Sequence, residues 1–403
     1  MRVVFLTREF PPDTLWGGEA IACNEMAHIL VKMGYNVHII CQAVGQQKDF
    51  VNEDGLVIHR VGRNPKRYSI IARIDYSLWT IKKLRELTKS HHIDVVEGFY
   101  GGSETFLYAL LKSFGVFRAP LLLHVHGSIR HAILNTKSYS GIIGFLAIRL
   151  LLCMADFTAK KSEIVVAISP IIYNELLKES KVDPQKVHLI LTPRNTEKYK
   201  PIETDIRKRL GLDIKDKLVL TVGRLEPRKG VHVLCKAIPF ILRRYPNTKF
   251  VFIGRDTPIS PKKGLTFKEF LITELKEYVN SVWFNEFVSD VELLELYSAA
   301  DVVVSPSLYE VSTSVPIEAM LCGKPVVVTD TGTARLLRLD GSNGVVVPPG
   351  DAQKLAEAII KMLSLSNEEK NVVSKKNREI IQRVFSYSRW ISQIRDLHVK
   401  IIA

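Results

Sequence analysis

Cysteine is scarce and unpatterned. The chain has five in 403 residues (Cys23, Cys41, Cys153, Cys235 and Cys322), an odd number with no Cys-x-x-Cys pair. That excludes a disulfide scaffold and a thiolate zinc site, and it fits a reduced, cytoplasmic setting. No apolar run reaches the ~20 residues that span a bilayer; the greasiest stretch, Gly141 to Ala155, is broken by Arg149. Val3-Val4-Phe5-Leu6 gives way at once to Thr7-Arg8-Glu9, too short an apolar run for a signal peptide. No Asp-x-Asp occurs, so the simplest carboxylate pair for holding a divalent metal on a diphosphate is missing. A Gly-x4-Gly-Lys-Ser/Thr loop is missing too, which argues against P-loop nucleotide hydrolysis.

What remains is ordinary globular material, 46% hydrophobic and 24% charged. At about 150 residues per domain, the length implies two to three domains. The net charge is +14, spread over both halves: 26 basic against 18 acidic residues in 1–200, and 30 against 24 in 201–403. Such a balance favours anionic partners. No nucleic-acid recognition motif accompanies it, so nucleic acid is not an expected partner. Residues 105–155 hold five Lys or Arg, several aromatics and no Asp or Glu. This stretch reads either as an acceptor-side surface suited to phosphorylated sugar or to peripheral contact with an anionic membrane, or as core helices whose few charges are basic.

Short β-branched runs recur at 2–6, 37–40, 57–61, 95–96, 121–124 and 165–168, mostly separated by stretches of helical character. After a polar, Pro-bearing segment (192–204) the pattern restarts, with strands at 218–222, 250–253, 282–284, 302–305, 326–328 and 345–347. Helices alternate with them, the last series being opened by Asp351. Alternation of this kind predicts α/β units whose parallel sheets are covered on both faces. The expected division is a first domain over 1–195, a second over 196–384, and a terminal helical segment, 385–403, packing back on the first. Ligands of such sheets sit beyond the carboxyl ends of the strands, so the loops there are the candidates.

Gly223-Arg224 follows one strand directly, and Lys229-Gly230 precedes the next helix. A guanidinium, an ammonium and a helix N-terminus in one loop suit a diphosphate, at roughly 1.5–3 kcal/mol per charge-assisted hydrogen bond. A solvated basic turn is the plainer alternative. Glu310 and Glu318 flank Val-Ser-Thr-Ser-Val-Pro-Ile, with Pro316 suited to the first turn of a helix. The amides of Ser312, Thr313 and Ser314 are then candidate phosphate donors, and the two carboxylates candidates for gripping hydroxyls. Otherwise Glu318 merely complements a helix dipole. His124-Val-His126-Gly127 closes a strand; His-x-His alone rarely makes a metal site, and a hydrogen-bonded core histidine is the usual outcome. Gly17-Gly18 after the first strand reads as a turn or a phosphate-approach loop.

Taken in order, these residues resemble glycosyltransferase family 4, the group 1 glycosyl transferases. Phe10-Pro11-Pro12 with Gly17-Gly18-Glu19 is similar to the family's first loop, and Val222-Gly223-Arg224-Leu225 through Lys229-Gly230 to its diphosphate loop. Glu310-x7-Glu318-Ala319-Met320-Leu321-Cys322-Gly323-Lys324-Pro325 resembles its signature segment, Asn343-Gly344 through Gly350-Asp351 its closing turn, and Phe385-Ser386-Tyr387 the lead into its last helix. The resemblance implies the GT-B fold: two facing Rossmann-like domains with parallel sheets and an interdomain cleft. It implies retaining, metal-independent sugar transfer, without a cofactor, from a UDP- or GDP-linked sugar to a hydroxyl of a glycan, lipid or phosphosugar acceptor. Arg224 and Lys229 would bind the diphosphate, Glu318 the donor ribose, Ser312 to Ser314 the distal phosphate, and Gly17-Gly18 would approach it. Glu310 and His126 would lie at the transferred sugar. A nucleotide-sugar epimerase or a silent sugar-nucleotide-binding subunit on the same fold is the alternative. The chain departs from the family pattern at Ser312-Thr313 (usually Phe-Gly), at Thr331-Gly332 (Gly-Gly), at Arg335 (Glu), and at the shortened linker Pro193-Arg194-Asn195-Thr196.

Overall fold

The computed structural model describes residues 1–11, 18–43, 48–51, 55–62, 70–128, 130, 141–213 and 215–402. Two compact units emerge: Met1–Thr192 with Trp390–Ala403, and Pro193–Arg389. These limits, 192/193 and 389/390, lie within five residues of the divisions expected at 195/196 and 384/385. The Arg194 amide donates to the Phe385 carbonyl at 2.9 Å, which joins the two ends of the second unit.

The first unit is built on an eight-stranded sheet of order β3-β4-β2-β1-β5-β6-β7-β8. Its strands are β1 (Arg2–Leu6), β2 (Asn36–Gln42), β3 (Lys48–Val51), β4 (Val57–Val61), β5 (Val95–Phe99), β6 (Leu121–Val125), β7 (Ile164–Ala167) and β8 (Val187–Leu189). All neighbours pair in parallel except β3 with β4. Central β1 explains why: Val3 and Phe5 enter one core, Val4 and Leu6 the other, and all four are fully buried. A strand buried on both faces needs apolar residues throughout rather than alternation. Edge strand β3 has no such signature in the sequence, because its Lys48 and Asp49 belong to a polar edge rather than a β-branched run.

The second sheet has the order β11-β10-β9-β12-β13-β14, and all its paired strands run parallel. It comprises β9 (Lys217–Val222), β10 (Thr248–Ile253), β11 (Val282–Asn285), β12 (Val302–Ser305), β13 (Val326–Thr329) and β14 (Gly344–Val347). One face buries Val219, Phe250, Phe252, Val302 and Val304 in a core shared with Val231, Leu234 and Ile238 of helix Val231–Arg244 and Leu355 and Ile359 of helix Ala352–Leu363. Each such side chain contributes about 1.5–3 kcal/mol on burial. Asp351 caps the latter helix, accepting from the Lys354 amide at 2.9 Å. The polar helix Asn367–Val384 lies outside the sequence-based expectations, although Ser366 and Glu369 form a capping box at its start.

The last helix, Tyr387–Ile402, spaces Trp390, Ile394 and Leu397 along one stripe and buries them in the first unit's core. Beside them His398 Nε2 lies 2.8 Å from Glu97 Oε1 on β5, and His124 Nε2 lies 2.5 Å from Glu97 Oε2. Burial alone would raise the Glu97 pKa, but the two imidazoles outweigh it and hold the carboxyl down at about 2. Ile394→Ala should lower unfolding free energy by about 2–5 kcal/mol. Val399→Ala on the same helix, 62% exposed, should change it by less than about 0.5 kcal/mol. Urea unfolding followed by circular dichroism separates the two; equal costs would mean the helix is not docked by this stripe.

Candidate functional site

In the second sheet β9 lies between β10 and β12. Chains leaving β9 and β12 therefore diverge, which makes their carboxyl ends the topological switch point where α/β sheets bind ligands. The loop after β9 passes Gly223 and a 3-10 turn, Pro227–Lys229, and turns at Gly230 in the left-handed region (φ +66°). A Cβ on Gly230 would stand 1.9 Å from the Pro306 carbonyl oxygen. Only glycine lets this helix start press against the loop that follows β12. Two further bonds join the loops and strand ends: the Leu308 amide donates to the Arg228 carbonyl at 2.8 Å, and Thr329 Oγ1 donates to the Ser307 carbonyl at 2.5 Å.

Three cations and two carboxylates meet in this crevice. Lys229 Nζ donates to Glu310 Oε1 at 2.5 Å, and Arg228 Nη1 to Glu310 Oε2 at 3.2 Å. Ser307 Oγ adds a third bond to Glu310 at 2.9 Å. Glu226 accepts from Arg228 Nη2 at 2.8 Å and from Arg224 Nη2 at 3.3 Å. Arg224 is 61% exposed at its side chain, whereas Glu310 is buried. Of the residues singled out by sequence reasoning, Lys229 and Glu310 are brought into contact, with Arg224 at the rim. Arg228 and Glu226 are additions of the structure; their only signal in the sequence is their place within the same loop, between Val222 and Val231.

The signature helix runs Ser314–Leu321, which puts Pro316 in its first turn and Glu318 in its second. Of the three candidate amides, that of Thr313 is already taken, donating to Thr333 Oγ1 at 3.2 Å. Gly332 (φ +57°) explains the tight fit there, since a Cβ would come within 3.2 Å of Glu310 Cβ and 3.3 Å of Thr313 Cγ2. Glu318 Oε2 accepts from Tyr297 Oη at 2.9 Å, and Arg194 Nε lies 3.9 Å from Glu318 Oε1. Burial pushes the Glu318 carboxyl pKa up, opposed by Arg194, Tyr297, Lys198 and Tyr199. Ser312 is half-buried in the loop just ahead.

The remaining candidates belong to the first unit. His124 is a buried, hydrogen-bonded core residue. His126 just past β6 is half-buried, its ring centroid 5.4 Å from that of Phe99 and 6.0 Å from that of His124. Gly18 is the first residue of helix Gly18–Lys32, and Gly17 lies outside the described residues. At the first sheet's own switch point, between β1 and β5, a cavity of about 300 Å³ is lined by Arg8, Glu19, Arg73, Tyr100 and Glu104 among others. Burial raises the Glu104 carboxyl pKa.

Comparison with known proteins places each half in a described family. Residues 202–379 match the glycosyl transferases group 1 profile, and residues 16–198 match glycosyltransferase family 4. An uncharacterised glycosyltransferase of Methanocaldococcus jannaschii is 26% identical over 399 residues, covering 95% of this chain and 94% of its own. Sucrose-phosphate synthase of Thermosynechococcus elongatus superposes with a TM-score of 0.79 at 21% identity over 99% of this chain and 98% of its own. Anabaena HepE, solved in complex with UDP, gives 0.75 at 22% identity over 99% and 100%. These likenesses establish the GT-B fold.

The contact at Gly230 is testable against a control. Gly211 is also left-handed (φ +67°), yet a Cβ there would meet nothing within 4 Å. Gly211→Ala should cost only the backbone strain of about 1–2 kcal/mol. Gly230→Ala should cost about 1–3 kcal/mol more through overpacking. Urea midpoints of the two variants read the difference.

Proposed function

The chain belongs to the group 1 glycosyl transferases, family 4, and on that premise we propose that it moves a sugar from a UDP- or GDP-linked diphosphate donor to an acceptor hydroxyl with retention of anomeric configuration. The observation that carries the proposal is the triad of cations, Arg224, Arg228 and Lys229, facing Glu226 and Glu310 at the switch point of the second sheet. That Anabaena HepE was solved with UDP bound supports a nucleotide donor.

The chemical obstacle is the charge left on the departing nucleotide while the sugar becomes oxocarbenium-like. Fixed cations aimed at the diphosphate act most strongly in that transition state, so they raise turnover rather than merely affinity. The cations are held by Glu226 and Glu310. An arriving diphosphate draws Lys229 and Arg224 to its oxygens and frees the Glu310 carboxylate to face the sugar. The Ser312 and Ser314 amides receive the distal phosphate at the start of helix Ser314–Leu321. Glu318 takes the ribose hydroxyls, and His126 stands near the transferred sugar. The acceptor hydroxyl attacks the face the nucleotide leaves, giving up its proton to the departing phosphate. The acceptor, a glycan, lipid-linked or phosphorylated sugar, binds the first unit, whose 300 Å³ cavity offers carboxylates and guanidinia to its hydroxyls. A cytoplasmic setting, with peripheral contact to an anionic membrane through the basic 105–155 stretch, agrees with that acceptor range. Among the described residues no helix is long and apolar enough to cross a membrane.

Arg224→Ala and Lys229→Ala should each lower kcat by ~10²–10³-fold, the cost of one preorganised charge-stabilising donor. Turnover within about threefold of wild type in either variant contradicts a diphosphate-stabilising role for that cation. Because cations rather than a bound ion neutralise the diphosphate, EDTA should leave the initial rate unchanged. A rate that vanishes in chelator and returns with magnesium would overturn the electrostatic account.

A further inference from the structure

The shortened linker places a cation where the family pattern does not require one. Arg194 is the second residue of the second unit, its backbone held by the Phe385 carbonyl. From that anchor its side chain runs inward and is only 15% exposed. Nη1 donates to the Pro193 carbonyl at 2.9 Å, and Nη2 donates to Ser314 Oγ at the start of the signature helix. Nε has no hydrogen-bond partner and lies 3.9 Å from Glu318 Oε1, an ion pair without a hydrogen bond. The guanidinium is thus wedged between the helix start and the carboxylate, with its fork occupied by Pro193 and Ser314.

We propose that Arg194 is a positioning residue for recognition of the donor ribose, aiming the Glu318 carboxylate and keeping it able to accept from both ribose hydroxyls. This rests on the nucleotide-donor reading of the site. A carboxylate accepts a charge-assisted hydrogen bond at each oxygen, whereas a protonated carboxyl offers the diol only the weaker neutral kind. Glu318 needs such support because burial raises its pKa, and Arg194 is its foremost counterweight. The other groups facing it are Lys198, Tyr199 and Tyr297, with Cys322 farther along. None replaces Arg194, since two are neutral phenols and Lys198 is already paired with Asp290 at 2.8 Å. The guanidinium touches Glu318 and Ser314 and acts on the ligand through them.

The test compares wild type, R194A and R194K as full chains by titration calorimetry with UDP, GDP and ADP and the 2′-deoxy form of each, from pH 5.5 to 8.5. Wild type should prefer the ribonucleotide it binds over its deoxy form by about tenfold or more, as sites built around a hydroxyl do. In R194A that preference should shrink to less than about threefold at pH 7. Because the carboxylate form exists only above its pKa, and removing the cation raises that pKa, any remaining preference in R194A should disappear at a higher pH on acidification than in wild type. R194K should recover part of the preference. Loss of affinity by the same factor for both forms, with their ratio unchanged, overturns the proposal and means that Arg194 grips phosphate. An unchanged affinity and ratio overturns it as well, and so does a wild type that binds nucleotide without ribose preference. A wild type that binds none of the six nucleotides sinks the donor reading itself. Thermal melts of both variants show whether a change reflects the site or the fold.

Discussion

A single carboxylate ties the second unit's site together. Glu310 stands in the loop after β12, yet its oxygens are held by Lys229 and Arg228 from the loop after β9, with Ser307 completing the set. These two loops leave neighbouring strands in different directions, so no regular secondary structure joins them. What joins them is charge together with the Leu308 amide's bond to the Arg228 carbonyl, and both work because Gly230 lets the backbones touch. A buried ion pair of this kind adds little net stability, since desolvation offsets most of the attraction. Its value lies in order: Lys229 and Arg228 are kept from scattering into solvent.

The first unit uses a buried carboxylate differently. Glu97, His124 and His398 are all buried, and the carboxylate bonds one imidazole from β6 and one from the last helix. Nothing there opens to a ligand. The contact selects where the end of the chain docks, because the carboxylate would be left short of a partner on any surface that could not supply a second imidazole. Apolar burial of Trp390, Ile394 and Leu397 supplies most of the adhesion, and the polar contact supplies the register.

Much of the architecture is legible in the sequence because buried parallel strands announce themselves. Runs such as Val3-Val4-Phe5-Leu6 and Val302-Val303-Val304 satisfy two apolar faces at once, as a strand buried on both sides of a sheet requires. The elements that escape such reading are those freed from this demand: the polar edge strand Lys48–Val51, the three-residue strand Val187–Leu189, and the mostly exposed helix Asn367–Val384. Within the site, Arg224, Lys229 and Glu310 are visible through their places just beyond strand ends. Arg228 and Glu226 are not, since an arginine and a glutamate in a surface loop usually face water. Arg194 stands in plain view as part of an irregular linker, but spacing does not tell which way it points.

Local chemistry therefore determined, without any fold in hand, that this chain is a pair of α/β units built on largely parallel sheets, with candidate residues at strand ends. Strand composition, glycine placement and the Glu-x7-Glu segment carry that information, because each responds to neighbours within about ten residues. Only tertiary structure decided which charges pair, that the Thr313 amide is spent on Thr333, and that an arginine more than a hundred residues away backs Glu318. Those outcomes depend on where strands order themselves in a sheet, and order in a sheet is settled by packing between distant segments rather than by any stretch of sequence alone.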